Sequence, residues 1–216
     1  MKTNINILLL LGILLLPGLS FAEPVSLKDS SEMKSAIKYS LQKYKLSSDL
    51  IYDLMKHESN HTPNVISIFG YPHDKHVKNN IKDACSFFKK HLLEKNISCK
   101  KNWIHLFPET YNELAAIEYY FKKEDSLNYD VGLMQINKAN IKSLNLSLSS
   151  LLIDYKLNID TGIKILGQCY RAMNNNTKKA VECYNKGTNE NKFGKYNYYA
   201  AVVNIKRNRL ELLDNN

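Results

Sequence analysis

The sequence has little that would divide it into parts. It holds eight glycines and five prolines in 216 residues, with no internal repeat and no linker-like stretch. Strand signals are weak along its whole length. After the first few turns of chain, no apolar run is long enough to cross a membrane. No C-x-x-C spacing occurs among the four cysteines, which disfavours a four-cysteine metal site. No base-stacking or groove-reading motif accompanies the positive charge, so a nucleic-acid partner is not expected. A content of 44% hydrophobic and 24% charged residues excludes a disordered chain. One domain with a real core is what remains.

The N-terminus reads as a targeting segment. Lys2 supplies a positive start, Ile5 to Leu16 an apolar stretch, and Ser20-Phe21-Ala22 a small-x-small cleavage site. Residues 1–22 are therefore expected to be a signal peptide, with a mature domain over 23–216 and a periplasmic destination. An uncleaved anchor is the alternative. The formal charge is +9, and removing Lys2 leaves +8. A solvated basic surface explains it, and attraction to an acidic polymer is compatible with it. In an exported chain, Cys85, Cys99, Cys169 and Cys183 suggest two disulfides. Of the three connectivities, Cys85–Cys99 with Cys169–Cys183 closes the shorter loops and is preferred.

Nearly every segment of the mature chain reads as helix. Ser30 or Ser31 can cap one carrying Met33, Ile37 and Leu41. Ser48 can cap the next, with Leu50, Ile51, Leu54 and Met55 on one side. Pro63 must stop that helix, with Asn60 as a plausible last residue. Phe69-Gly70-Tyr71-Pro72 is turn-like. Helices are then expected near 76 to 94 and 109 to 123, from Ser149 toward Tyr155, through Ile159 to Tyr170, from Thr177 to Asn185, and near 195 to 213. Gly132 to Asn137 is a loop or a short extended piece.

Two constellations carry chemistry. His57-Glu58-Ser59-Asn60-His61 matches H-E-x-x-H, the zinc protease arrangement in which two imidazoles lie one helical turn apart. The extended form of that motif would need Gly at 64 and His at 67, where this chain has Asn64 and Ser67. Glu94, Glu113 or Glu118 would have to supply the third ligand, and Pro63 ends the helix early. The second constellation is longer. It runs Glu58-Ser59, Gly132-Leu133-Met134-Gln135-Ile136, Asn158-Ile159, Tyr184-Asn185-Lys186-Gly187 and Tyr199-Ala200-Ala201-Val202-Val203.

In that order these blocks resemble the soluble lytic transglycosylase family, over about residues 44 to 66 and 128 to 207. The resemblance implies a mainly α, single lysozyme-like domain. It also implies cleavage of peptidoglycan glycan strands with closure of a 1,6-anhydro ring, and no metal or organic cofactor. It assigns Glu58 as the acid that then acts as base, which requires a protonated carboxyl group at rest. It makes Ser59, Met134, Gln135, Asn158, Tyr184, Asn185 and Tyr199 the surrounding groove, with Gly132 in its loop and one tyrosine hydroxyl near Glu58. The Tyr129-to-Asn137 segment is similar to the specialised members that serve secretion systems or pili. A hydrolytic alternative would need a second carboxylate, for which Asp130 is the candidate. One departure stands out. Seventy-two residues separate Ser59 from Gly132, far more than the family uses. The excess, about 66–128, is expected to be a helical insertion holding Cys85, Cys99 and Trp103. It could cap the cleft, lengthen the groove, dock a partner or be passive.

Overall fold

The computed structural model describes residues 31–69, 75–193 and 197–204. The leader expected at 1–22, the cap at Ser30, the turn at 70–72 and the chain beyond 204 lie outside these residues. Among the described residues, no helix is long and apolar enough to cross a membrane. The structure is mainly helical with one small sheet.

The helices follow the apolar periodicity of the sequence. Helix α1 (Ser31–Leu41) buries Met33 and Ile37. Helix α2 (Ser48–Ser59) is capped by Ser47, whose hydroxyl accepts from the Leu50 amide at 3.1 Å. It buries Leu50, Ile51, Leu54 and Met55 and ends at Asn60, which takes a left-handed φ of 53°. Helix α7 (Tyr155–Ala172) is the central rod. Asp154 caps it by accepting from the Lys156 and Leu157 amides, both at 3.0 Å. Its buried stripe of Ile159, Ile163 and Leu166 packs among α1, α8 (Thr177–Lys186) and the short α6 (Leu148–Ile153). Two glycines let neighbours reach its backbone. A Cβ at Gly162 would sit 2.5 Å from the Met134 side chain, and one at Gly167 would sit 2.2 Å from the Tyr44 ring. Ser147 caps α6, two residues before the expected Ser149. Residues 198–204 form the last helix among the described residues, α9.

The 66–128 segment holds more than the sequence reading gave it. Its two expected helices are present as α3 (Lys75–His91) and α4 (Tyr111–Lys123). It is not wholly helical, however. Ile66–Phe69 (β1), Ile97–Lys100 (β2) and Trp103–Leu106 (β3) join Asn128–Val131 (β4) and Ile136–Asn137 (β5) in an antiparallel sheet of order β2-β3-β1-β4-β5. Each strand spans four residues or fewer, too short for a two-residue period to stand out. The register gives the sheet two faces. Ile66, Ile68, Ile104, Leu106, Tyr129, Val131 and Ile136 are buried on one. Ser67, Phe69, Trp103, His105, Asp130 and Asn137 lie on the other.

The insertion is fastened at three points. Cys85–Cys99 joins α3 to β2, and Cys169–Cys183 joins α7 to α8, the pairing that the loop lengths favour. Phe87, Phe88, Tyr120 and Phe121 form an aromatic cluster between α3 and α4. Glu113 is the third point. Its buried carboxylate accepts from the amides of Leu93, Glu109 and Thr110 at 2.9–3.2 Å and from Asn96 Nδ2 at 3.0 Å. Burial alone would raise its pKa, and the hydrogen bonds from Glu109, Asn96, Leu93 and Thr110 hold it below the ordinary value. Glu113→Ala orphans these donors, so it should cost about 1–3 kcal/mol in denaturant unfolding at neutral pH. Because the folded pKa is lowered, the penalty is present above the ordinary carboxylate range and fades as pH falls below it. An unchanged unfolding midpoint at pH 7 would count against this anchor.

Candidate active site

A cavity of about 880 Å³ opens between the end of α2, the polar face of the sheet, α7, α8 and α9. Glu58 lies in the last turn of α2 and lines it, together with His57, Asp130, Gln135, Tyr184 and Tyr198. The local sequence explains the placement. The apolar face of α2 is anchored in the core, and the left-handed turn at Asn60 and His61 ends the helix just beyond Glu58. A carboxylate in the last turn opposes the helix dipole. Burial is the larger effect. It raises the Glu58 pKa to about 7, helped by the nearby Asp130 charge and opposed by a hydrogen bond donated from the Tyr198 hydroxyl to Glu58 Oε1. Glu58 therefore changes protonation state close to neutral pH rather than in the ordinary carboxylate range. It can both give and take a proton there.

The second carboxyl group, Asp130, is raised to about 6 by burial, against a 2.9 Å hydrogen bond from Asn137 Nδ2. Burial and the nearby Glu58 and Asp130 charges push the Tyr184 phenol well above its ordinary pKa, so it stays protonated. Its hydroxyl donates to the Met134 carbonyl at 2.6 Å. Burial also lowers the His57 pKa, and its ring packs edge-on against Tyr198, with centroids 5.0 Å apart. Across the sheet, His105 Nδ1 and Ser67 Oγ are 3.1 Å apart. Burial, then the Lys100 charge, keep the His105 ring below its usual pKa and so neutral at neutral pH.

The residues expected from sequence separate into two groups. Glu58, Gln135, Tyr184 and Asn185 line the cavity. The others stand behind it. Asn158 is fully buried, accepts from the Met134 amide at 2.9 Å and donates to the Val131 carbonyl at 2.9 Å. Gly132, at φ +75°, lies so close that a Cβ would meet Asn158 Nδ2 at 2.2 Å. Met134 is fully buried against Gly162, because the loop turns its side chain into the core and Gln135 outward. Ser59 turns its hydroxyl back to the Met55 carbonyl at 3.1 Å. Tyr199 offers its backbone amide to Glu182 Oε1 at 2.8 Å, and it is its neighbour Tyr198 that meets Glu58. Ser67, Phe69, Trp103 and His105 also line the cavity and come from the insertion. Their i, i+2 spacing within Ile66–Phe69 and Trp103–Leu106 spans too few residues to have marked them in the sequence.

The geometry also bears on the H-E-x-x-H pattern. His61 lies past the helix end at φ 61°, buried against Tyr52, while His57 is on the helix and faces the cavity. The two imidazoles are thus not stacked one helical turn apart. Among the described residues, no group of three His, Cys, Asp or Glu side chains converges as metal ligands.

Two measurements follow from these electrostatics. In carbon-13 NMR titrations of the Glu58 carboxyl, Asp130→Asn removes a like charge and should lower its pKa. Tyr198→Phe removes the hydrogen bond that favours the carboxylate and should raise it. Shifts of the same sign in both variants would contradict the arrangement. Because the folded-state pKa of Glu58 is raised, its contribution to stability is complete below pH 4.5 and lost as pH rises through about 7. Glu58→Gln should therefore gain thermal stability relative to wild type between pH 5 and pH 8. A constant or opposite difference would argue against a buried acid.

The transglycosylase SLT domain model matches residues 35–204, most of the chain and all of the elements that build the cavity. No curated protein and no solved structure matches significantly. A match of that extent, around a cleft whose acid is held near neutrality, shows that the chain belongs to the transglycosylase SLT domain family, enzymes that act on peptidoglycan.

Proposed function

We propose that this protein is an exported lytic transglycosylase that cleaves the bond between N-acetylmuramic acid and N-acetylglucosamine. The observation that carries the reading is the Glu58 carboxyl group, held at a pKa of about 7 in the cavity and accepting the Tyr198 hydroxyl on Oε1. Oε2 then remains to carry the proton. In the first step, the C1–O bond breaks and the leaving oxygen takes the Glu58 proton, while the substrate's acetamido group stabilises the positive charge at C1. In the second step, the C6 hydroxyl oxygen bonds to C1 and its proton passes to Glu58. The anhydro ring closes, Glu58 is restored and no water is consumed. The Tyr184 hydroxyl is committed to the Met134 carbonyl, so its part is to hold the cavity wall.

Export is supported by the Lys2 and Ile5-to-Leu16 leader pattern and by the two disulfides, which persist in oxidising compartments such as the periplasm. The Tyr129-to-Asn137 wording supports a role in opening the wall locally for a secretion or pilus machine. A second reading has one observation in its favour. Asp130 shares the cavity with Glu58 and is ionised above about pH 6, so it is placed to activate water in a lysozyme-type hydrolysis.

Mass spectrometry of the fragments released from purified peptidoglycan separates the two. Anhydro ends, one water lighter than reducing ends, are the expected product, and Asp130→Asn should still form them. Reducing ends that vanish in Asp130→Asn would establish the hydrolase. Glu58→Gln should lose at least about a hundredfold in rate with its circular dichroism unchanged, the usual worth of a general acid. Undiminished release by that variant would refute both readings.

A further inference from the structure

The insertion brings to the cavity a strip of side chains that the catalytic steps do not use. Cross-strand register puts Ser67 beside Asp130 and His105 beside Ser67, so one polar row leads away from the acid across β4, β1 and β3. The next row on the same face holds Phe69 beside Trp103. Strands lie about 4.8 Å apart, so His105 is about 10 Å from Asp130 and Trp103 is farther still. Neither takes part in the catalytic steps proposed above. Both nevertheless line the cavity that holds Glu58.

The strip has the composition of a carbohydrate platform. Trp103 is 48% exposed, unusual for the largest apolar side chain. Its ring lies nearly parallel to His105, at 17°, and next to Phe69, with centroids 5.7 Å apart. Flat rings of this kind present a face to the C–H side of a pyranose. The Ser67 hydroxyl and the neutral His105 ring beside them can exchange hydrogen bonds with sugar hydroxyl and acetamido groups. The strip is also held firmly. Cys85–Cys99 fixes β2 to α3, and β3 is paired on both sides.

We propose that the insertion lengthens the catalytic groove, and that Trp103, backed by Phe69 and His105, stacks a sugar ring of the glycan strand beyond the ring being cleaved. This subsite rests on the peptidoglycan-cleaving function given above. It gives the insertion a substrate-holding role and makes long strands better substrates than short fragments.

Trp103 is the only tryptophan in the chain, so its fluorescence reports on this site alone. The probe is peptide-free glycan strands released from peptidoglycan, titrated into full-length Glu58→Gln so that nothing is cleaved. Trp103 emission should shift as the strands bind. Measured by isothermal titration calorimetry, which does not need the tryptophan, adding Trp103→Ala to Glu58→Gln should weaken binding about tenfold, as loss of an exposed aromatic anchor does, and Trp103→Phe should restore most of it. In the active enzyme, Trp103→Ala should raise KM for long strands more than it lowers kcat. Circular dichroism of each variant guards against misfolding. Strands that bind with no change in emission and with equal affinity for Trp103→Ala would overturn the subsite and leave the cleavage reading intact. No binding of strands, together with no cleavage by wild type, would overturn both.

Discussion

The side-chain amide of Asn158 is the tie on which the cleft depends. It is fully buried on α7, where an unpaired amide would be costly. Every hydrogen bond it makes goes to backbone. Its oxygen accepts from the Met134 amide, and its nitrogen donates to the carbonyls of Val131 and Leu151. One side chain thereby fixes α7, the end of α6 and both sides of the loop between β4 and β5. Gly132 is required because Asn158 fills the space its Cβ would take. With the loop pinned, the Met134 carbonyl is available to the Tyr184 hydroxyl from α8. Gln135 takes a left-handed φ of 45° and returns its amide nitrogen to the Gly132 carbonyl at 2.8 Å. The blocks at 132, 158 and 184 thus form one hydrogen-bonded unit. Its outward side is the cavity wall.

Against that wall the acid is set by competing effects of unequal size. Burial and the Asp130 charge favour the neutral form of Glu58, and the Tyr198 hydroxyl favours the ionised one. Burial wins, but the tyrosine keeps the outcome near neutrality. A fully desolvated Glu with no partner would hold its proton too tightly to give it up, and a fully hydrated one would already be ionised at neutral pH and have none to give. The balance requires α9 to sit correctly. Glu182 does this from α8, accepting the Tyr199 amide at 2.8 Å and an ion pair from Lys186 at 2.5 Å. Tyr199 thus serves the site through its backbone, and Tyr198 through its hydroxyl.

Much of this was legible in the sequence, and the misses have identifiable causes. The apolar stripes of α2 and α7 have clear helical periods, and Pro63 bounds α2, so Glu58 could be placed at a helix end. The disulfide pairs followed from loop length. The sheet did not show, because strands of two to four residues carry too few alternations to distinguish from loop. Tyr198 was missed by one position. Two adjacent tyrosines each fit a helical stripe, and the motif wording favoured Tyr199. Only packing shows that Tyr198 and Val202, one turn apart, form the buried face. Met134 and Gln135 posed the same problem in a loop, where no period indicates which side chain turns inward.

The insertion draws these points together. β4 pairs with β5 on one side, and without β1 its other edge would be open. Paired edges are stable and open ones are a liability, so a strand laid against β4 has a structural use before any functional one. Ile66 and Ile68 of β1 meet Val131 and Tyr129 and extend the core. The pleat then obliges Ser67 and Phe69 to face the cavity. The same reasoning passes through β3 to His105 and Trp103. The strands that cover this edge of β4 therefore also carry side chains to the cavity. The pair Cys85–Cys99 closes a loop whose length removes roughly 3 kcal/mol of unfolded-chain freedom, which suits an outer edge with little core of its own. The covering of this sheet edge and the row of side chains it presents to the cavity are consequences of the same register.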